Sequence, residues 1–456
     1  MRETAFLGKE PIGSLLLRLS LPAMVGMLVQ ASYNLVDAFF IGWGVGPMGL
    51  AGTAVAFPLH FFVMGIATMG GIGAASLVSR SLGAGDAERA DRALGTLVTL
   101  ALAAGLSAAF LGRAFLPQLL ALLGASGAIL PPARTYIAII LLGIPFHVLG
   151  VGLNNVVRAE GNARVAMFTM LVSAGANTVL DPLFIFGFGW GIAGAAWATV
   201  ISQALVVAWL GNYLFSGHSA LKLKPEHLVP RKDILRQIVA VGASEFARLT
   251  ASGFTATVVV HSMGRFGSPL AVAAYGVISR VLSLFFMPMM GISQGLQPIL
   301  GYNYGAGNWS RAHRSVRLSV TAATVVSTAG FLVLTLFPGP VFGLFTADPE
   351  LRAIGTRSLR MMTLGFAFIG FQTIGSTLFQ ALGKGAPALF LSLSRQVLLF
   401  LPLVIVLPRL LGLPGVWLAF PAADLLSAFI TFAFFSKQMR ELREKETATP
   451  EEAFSQ

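Results

Sequence analysis

Apolar runs recur along the chain from Leu15 to Phe435, and between them lie short segments rich in Gly, Pro and charge. A run of about 20 apolar residues crosses a hydrocarbon core roughly 30 Å thick as a helix. Read between its breaks, the pattern predicts twelve helices. In the first half they run over roughly 15–42, 50–79, 94–121, 131–157, 165–188 and 191–215. In the second half they run over roughly 237–263, 268–300, 316–344, 353–381, 387–410 and 412–436. The connecting segments alternate in charge. One side collects Lys9, Arg80, Arg89, Arg92, Arg158, Arg164, Lys222, Lys224, Arg311, Arg314, Arg317 and Lys384, while the other holds a scatter such as Arg134, Arg265 and Arg352. Basic loops stay in the cytoplasm. The expectation is therefore a multi-pass protein of the inner (cytoplasmic) membrane with both termini inside.

Composition narrows the class. Of 456 residues, 55% are hydrophobic and only 11% charged, against about 25% in soluble proteins; the mean hydropathy is +0.78. The net charge of +12 is dispersed through the loops, which excludes a nucleic-acid groove and leaves membrane lipids as the surrounding partner. With no cysteine, disulfides and thiolate metal sites are excluded. The first apolar run is too long for a signal peptide and continues into Asn34 and Asp37, so it is read as a retained span. No nucleophile–base or metal-ligand set is visible, which argues against an enzyme, and no cofactor is expected. Loops shorter than about 20 residues leave no room for the ligand domain of a non-transporting receptor or scaffold.

The chain also repeats itself. "SRSLGAGDAERADRAL" pairs with "GYNYGAGNWSRAHRSV", and "RAEGNARVA" pairs with "QALGKGAPA". The interval from Gly83 to Gly305 in the first pair equals that from Gly161 to Gly383 in the second. "GWGIAGAAWA" and "LLGLPGVWLA" set Gly194 and Gly415 one position short of the same interval. The expected fold is all-α, two six-helix lobes of like topology related by a pseudo-two-fold axis along the membrane normal, as in transporters that rock two bundles about a midplane site. The lobes are assigned to 1–217 and 236–437, with a cytoplasmic linker at 218–235 and a disordered tail at 438–456.

Chemistry concentrates in the first lobe. Asp181 is the only formal charge between Arg164 and Lys222, and an intramembrane carboxylate is a functional candidate by default. Laying Pro402 on Pro182 sets Leu401 opposite Asp181 and Val397 opposite Asn177, so the scaffold does not itself require these polar groups. Asn177 and Asp181 share a helix face, as do Asn34 and Asp37; Asn154 and Thr199 lie in the fourth and sixth spans. This oxygen-rich set suits a hard monovalent cation, with Asp37, Asn177 and Asp181 as ligands for Na+, or a proton shared by two carboxylates. A packing role also fits, with Asp181 bonding Asn177 beside a Pro182 kink. Pro22 removes a backbone hydrogen bond inside the first helix and offers it a bending point. Glu245 and Arg248, three apart, are expected to pair. Asn34, Arg280 and the Met287 and Met290 of "FFMPMMG" are candidates for a cavity wall, Arg395 for snorkelling to a helix end, and Asp424 carries no clear role.

These residues carry a resemblance. Nearly the whole chain resembles the multidrug and toxic-compound extrusion (MATE) transporters, most closely their DinF-like branch. The matching stretches are "LPAMVGMLVQASYNLVDAFFIG", "RAEGN", "NTVLDPLFIFGFGWGIAGAAWAT" and "GLQPILGYNYGAGN". The resemblance implies a V-shaped pair of lobes and cation-driven export, by H+ or Na+, of amphipathic and often cationic small organic molecules (drugs, dyes, toxins), by a monomer. It further implies a cation or proton site at Asp37, Asn154, Asn177, Asp181 and Thr199, a conformational switch at Pro22, and a cavity bordered by Arg280. The tenth span lacks the acid that a second-lobe sodium site would use. The rival within the same superfamily is a flippase for lipid-linked sugar precursors, against which the sequence sets the scarcity of cavity arginines.

Overall fold

The helices begin where the sequence breaks. In a computed structural model describing residues 4–447, twelve long helices account for the twelve runs. The first lobe comprises α1 (Ile12–Gly44), α2 (Pro47–Gly83), α3 (Ala87–Ala114), α4 (Gly127–Ala159), α5 (Ala163–Gly187) and α6 (Gly191–Phe215). The second comprises α7 (Lys232–Phe266), α8 (Pro269–Gly305), α9 (Trp309–Leu336), α10 (Pro349–Ala381), α11 (Gly385–Leu411) and α12 (Leu413–Thr447). Helix starts at Pro47 and Pro269, Ala87 and Trp309, and Ala163 and Gly385 keep the interval that separates Gly83 from Gly305. The duplication therefore extends to helix boundaries that motif matching alone does not reveal.

Eleven of these helices are long and apolar enough to cross a membrane. The exception is α7, which carries Lys232, Asp233 and Arg236 in its first turns and Glu245 and Arg248 midway. It packs most extensively of all on α2 of the other lobe, which buries Ile238, Val241, Gly242 and Glu245. Glu245 is thus hidden by protein rather than exposed to lipid, while Lys232, Asp233 and Arg236 stay exposed at the start of the helix.

Several ends differ from expectation. Both α3 and α9 begin some seven residues before the apolar run, because Asp86 caps α3 by accepting from Arg89 N at 2.9 Å and the amphipathic turns that follow are covered on one side. They also end earlier, at Ala114 and Leu336, where Pro117 and Pro338 open separate short helices, Leu116–Leu122 and Pro338–Gly343. The region expected to be a disordered tail from 438 is helical as far as Thr447. Lys384 Nζ binds Gln438 Oε1 at 2.6 Å and Glu441 Oε2 at 2.8 Å, Leu442 is buried, and the Lys445 ammonium lies over the Trp309 ring. The rest of that segment, 448–456, lies outside the described residues.

The ends of the helices that bear Arg80, Arg89, Arg311 and Lys445, here the basic end, are where the lobes meet. Their contact follows the pseudo-symmetry, with α2 on α7 and α8 on α1. Glycines permit the approach. Gly83 sits on the backbone of Tyr302, and its repeat mate Gly305 sits on the backbone of Arg80, so a Cβ on either would overlap main chain. Asn303 and Arg311 bind the Leu7 carbonyl at 3.0 and 3.3 Å, fastening the N-terminal segment to the second lobe. The linker is held to the first lobe: Lys222 N donates to Asp91 at 2.7 Å, and Thr99 donates to the Leu228 carbonyl at 2.6 Å. Both described termini lie at this end, where His313 and Glu446 meet at 3.3 Å. Away from it the lobes diverge around a central cavity of about 780 Å³, which extends from Arg158 and Gln380 near the basic end to Thr53 and Phe57 at the other.

Candidate functional site

The site begins with a local break in α5. Pro182 has no N–H to donate, and the helix passes directly into a wider π-helical turn at Leu183–Gly187, closed by Phe188 N to Leu183 O at 2.9 Å. Gly189 and Gly191, at φ +68° and +54°, then turn the chain into α6. Phe184, Phe188 and Trp190 stack at 5.2–5.7 Å between centroids and cover this corner. Asp181 occupies the last position before the break and is fully buried, as is Asn177 one turn earlier at 1% exposure.

Helix α1 brings Asp37 to the same place, with Tyr33 one turn before it. The Asp37 and Asp181 carboxyl groups lie side by side, and the Tyr33 and Tyr136 hydroxyls stand close to both carboxyls and to Thr199 of α6. Asn154 of α4 is buried and donates from Nδ2 to the Ala166 carbonyl at 2.9 Å, which ties α4 to α5 and leaves its Oδ1 without a protein partner. Thr199 donates to Ala195 O at 3.1 Å. Asp37, Asn177, Asp181 and Thr199 of the predicted set are gathered here, whereas Asn154 is not: its partner Ala166 lies about 22 Å before Asp181 along α5, towards the basic end. Asp37, Asn154 and Thr199 reach the cavity wall. Tyr33 and Tyr136 were missed by the sequence reading. Tyr33 was detectable, since it stands four residues before Asp37, whereas Tyr136 had no local signal.

The polar inventory shows what the arrangement can do. Asp37 Oδ1, both Asp181 carboxylate oxygens, both Asn177 side-chain polar atoms and Asn154 Oδ1 are buried without a protein hydrogen bond. Leaving such groups unpartnered costs on the order of 1–3 kcal/mol each, more for a charge. Two neighbouring carboxylates in a dry site cannot both stay ionised without a compensating cation. The donors are carboxylate, amide and hydroxyl oxygens, so they fit a hard cation or a proton. Among the described residues no group of three His, Asp or Glu side chains is placed to hold a metal.

The second lobe differs from the sequence reading. Asn34 and Met290 line the cavity, but Arg280 and Met287 do not. Phe286, Met290, Gln294 and Gln297 form the cavity face of α8; Arg280 and Met287, two turns apart on one face, lie roughly a quarter turn away. The cavity arginines are Arg158, Arg248 and Arg395 instead, so arginine is not scarce there. Each is engaged. Arg158 meets Gln294 across the lobes and Asn155 at 3.1 Å, Arg248 pairs with Glu245 as expected, and Arg395 Nε binds Asp424 Oδ1 at 2.6 Å rather than snorkelling. Asp424 is 2% exposed, because Arg395 is its partner. His60 and His147, 5.5 Å apart between ring centroids, also border the cavity and were not anticipated.

Two six-helix bundles, joined at one end around a cavity with buried carboxylates in its wall, define a secondary transporter. The family model for MatE matches residues 22–183 and 245–406, one block in each lobe. The chain belongs to the MATE family, whose members are cation-coupled antiporters and not enzymes. It is 27% identical over 420 residues, 92% of each chain, to "Multidrug export protein MepA" of Staphylococcus aureus (strain MSSA476). Among solved structures, a ligand complex of the MATE multidrug transporter DinF-BH is 40% identical, with a TM-score of 0.87 over 94% of this chain and 96% of that one. That likeness supports the DinF-like branch. An outward-facing MATE transporter of the MOP superfamily superposes with a TM-score of 0.90 at 26% identity, covering 98% and 99% of the two chains.

Proposed function

We propose that this protein exports amphipathic, often cationic, organic compounds across the cytoplasmic membrane in exchange for a cation entering through the first lobe. The names of its relatives, a multidrug export protein and a multidrug transporter, support the substrate class. The observation that carries the coupling is the pair Asp37 and Asp181, buried beside the cavity with three carboxylate oxygens lacking a protein partner. A proton shared between them is the favoured coupling ion, since two adjacent carboxyls need only one to relieve their repulsion. Sodium held by Asp37, Asn177 and Asp181 is the second reading, favoured by the unpartnered Asn177 Oδ1.

The positive-inside bias assigns the basic end, with both termini, to the cytoplasm. On that orientation the lobes are closed inward and open outward. Pro22 would act as the switch. It lies in α1 beside Ser20 and Met24, which press on Gly291 and Gly295 of α8, so a bend there would reach the lobe interface directly. A single chain holds the whole pathway, which is why a monomer is proposed. A flippase is disfavoured because the cavity guanidiniums are already held by Glu245, Asp424 and Gln294.

Dye efflux from proteoliposomes, with proton and sodium gradients imposed separately, tests this reading. A proton gradient alone should drive export in the wild type. D37N and D181N should each lower the rate by about a hundredfold or more while the purified protein remains folded, as expected when coupling depends on ionisation of these groups. Export driven only by sodium would select the second reading. Wild-type rates in both variants would remove the site.

A further inference from the structure

The end of the second lobe away from the basic end carries an unassigned basic pocket. The first turns of α10 present Arg352, Arg357 and Arg360 to one cavity of about 770 Å³, opened by the small side chains of Ala347 and Ala353 and edged by Thr356. All three arginines are exposed, and among the described residues none has a carboxylate within ion-pairing distance. The nearby acids do not compensate them. Asp348 is the helix cap, accepting from Glu350 N at 2.9 Å and Leu351 N at 3.0 Å, and Glu350 makes no ion pair. Two of the guanidiniums are fixed by the fold. Arg360 Nε donates to the Thr335 carbonyl at the end of α9 at 3.2 Å, and Arg352 lies flat on Gly343, where a Cβ would come within 3.1 Å of its Cζ.

Depth decides what such a pocket meets. Helix α10 runs on from Arg360 to Ala381, where it ends at the basic side. At about 1.5 Å per residue, and about 2.0 Å through the 3-10 stretch Thr363–Phe368, the rise between them is roughly 30–35 Å. That matches the thickness of a hydrocarbon core, about 30 Å, and sets Arg360 at the level of lipid phosphates in the far leaflet, with Arg357 and Arg352 about 5 and 12 Å further out along the helix, in the headgroup layer. Leu336, Phe337 and Leu344 beside them are 62%, 57% and 84% exposed, an apolar collar for acyl chains.

We propose that Arg352, Arg357 and Arg360 form a binding site for the phosphate headgroup of an anionic phospholipid in the leaflet opposite the basic end. Guanidinium forks match phosphate oxygens bidentately, and a cluster of them between apolar surfaces selects an anionic headgroup over a zwitterionic one. The site also accounts for three arginines on the side where positive charge is otherwise sparse.

Native mass spectrometry of the detergent-purified full chain, supplied with phosphatidylglycerol or phosphatidylcholine of matched acyl chains, tests this. The wild type should retain one phosphatidylglycerol in preference to phosphatidylcholine. R352Q/R357Q/R360Q should weaken that retention at least about tenfold, while R314Q/R317Q at the basic end should not. Filling the pocket with Ala353→Trp, arginines intact, should weaken it too, and this variant decides the matter should the triple variant fail to fold. Equal retention of both lipids, or unchanged retention in both pocket variants, would overturn the site. If inorganic phosphate binds with the same dependence on the three arginines and phosphatidylglycerol does not, the ligand is a free anion and the lipid assignment falls.

Discussion

Asp181 and Asp424 are both buried aspartates in apolar helices, yet only one could be interpreted from sequence. Asp181 stood out because the repeat holds Leu401 at its counterpart and because Asn177 sits one turn away on the same chain segment. Asp424 gave no such cue, since its partner Arg395 comes from another helix and the Gln372 amide that donates to the Asp424 carbonyl at 2.7 Å comes from a third. Local spacing reveals a site only where its members share a helix; Tyr136 and His147 were missed for the same reason. The two aspartates should therefore behave oppositely under mutation. D181N removes a carboxylate that has no protein hydrogen-bond partner, so it should leave stability nearly unchanged. D424N strands a guanidinium beside buried groups, and breaking one side of a buried pair typically costs about 3–5 kcal/mol. Thermal unfolding in detergent should show D424N strongly destabilised and R395Q/D424N restored most of the way. A double variant as unstable as D424N would mean that the pair is not what holds α11 to α12.

At the scale of elements, apolar run length and the internal repeat were enough to predict all twelve helices and the two lobes. The π-helical turn after Asp181 was not predictable in that way, because a change of hydrogen-bond register leaves the apolar pattern intact. The sequence marks only Pro182, and the packing of Phe184, Phe188 and Trp190 sets the rest. The glycines of the repeated Gly-Ala-Gly segments were visible as a motif, but their purpose is steric. Gly83 on α2 and Gly305 on α8 are where the lobes cross, each against the other helix's backbone, and main chain cannot move aside as a side-chain tip can. G83V and G305V should thus disfavour the arrangement closed at the basic end. The expected result is a loss of efflux of about tenfold or more in each variant. A cysteine placed at Gln294 in the cavity floor should also become reactive toward a membrane-impermeant maleimide from the basic side. Wild-type efflux and a protected floor in both variants would show that this crossing is not a gate.

Over the whole molecule, coupling requires that the ion distinguish two lobe arrangements energetically; a ligand bound equally by both shifts nothing. The structure supplies one arrangement, closed at the basic end by Arg158 on Gln294 and by Ser76 donating to the Gln380 carbonyl at 2.5 Å. It places Asp37 and Asp181 on the first lobe, beside the cavity that must change shape, whereas the buried carboxylates of the second lobe, Glu245 and Asp424, are ion-paired. Protonating Asp37 and Asp181 alters the polar balance of α1 and α5, and α1 is the helix that carries Pro22 against α8, so the second lobe would feel the change through that contact. The absence of cysteine makes the chain a ready background for spin labels. Labels at Ser126 and Leu344 report the separation of the two lobes at the open end. In detergent or nanodiscs, the wild-type distance distribution should shift between neutral and mildly acidic pH. D37N/D181N, which mimics the protonated pair, should stay near the acidic-side distribution at both. A double variant that still responds to pH as the wild type does would place the coupling elsewhere, with the cavity histidines His60 and His147 the next groups to remove. A shift driven by sodium at fixed pH, and lost in D37N/D181N, would keep the site and change the ion.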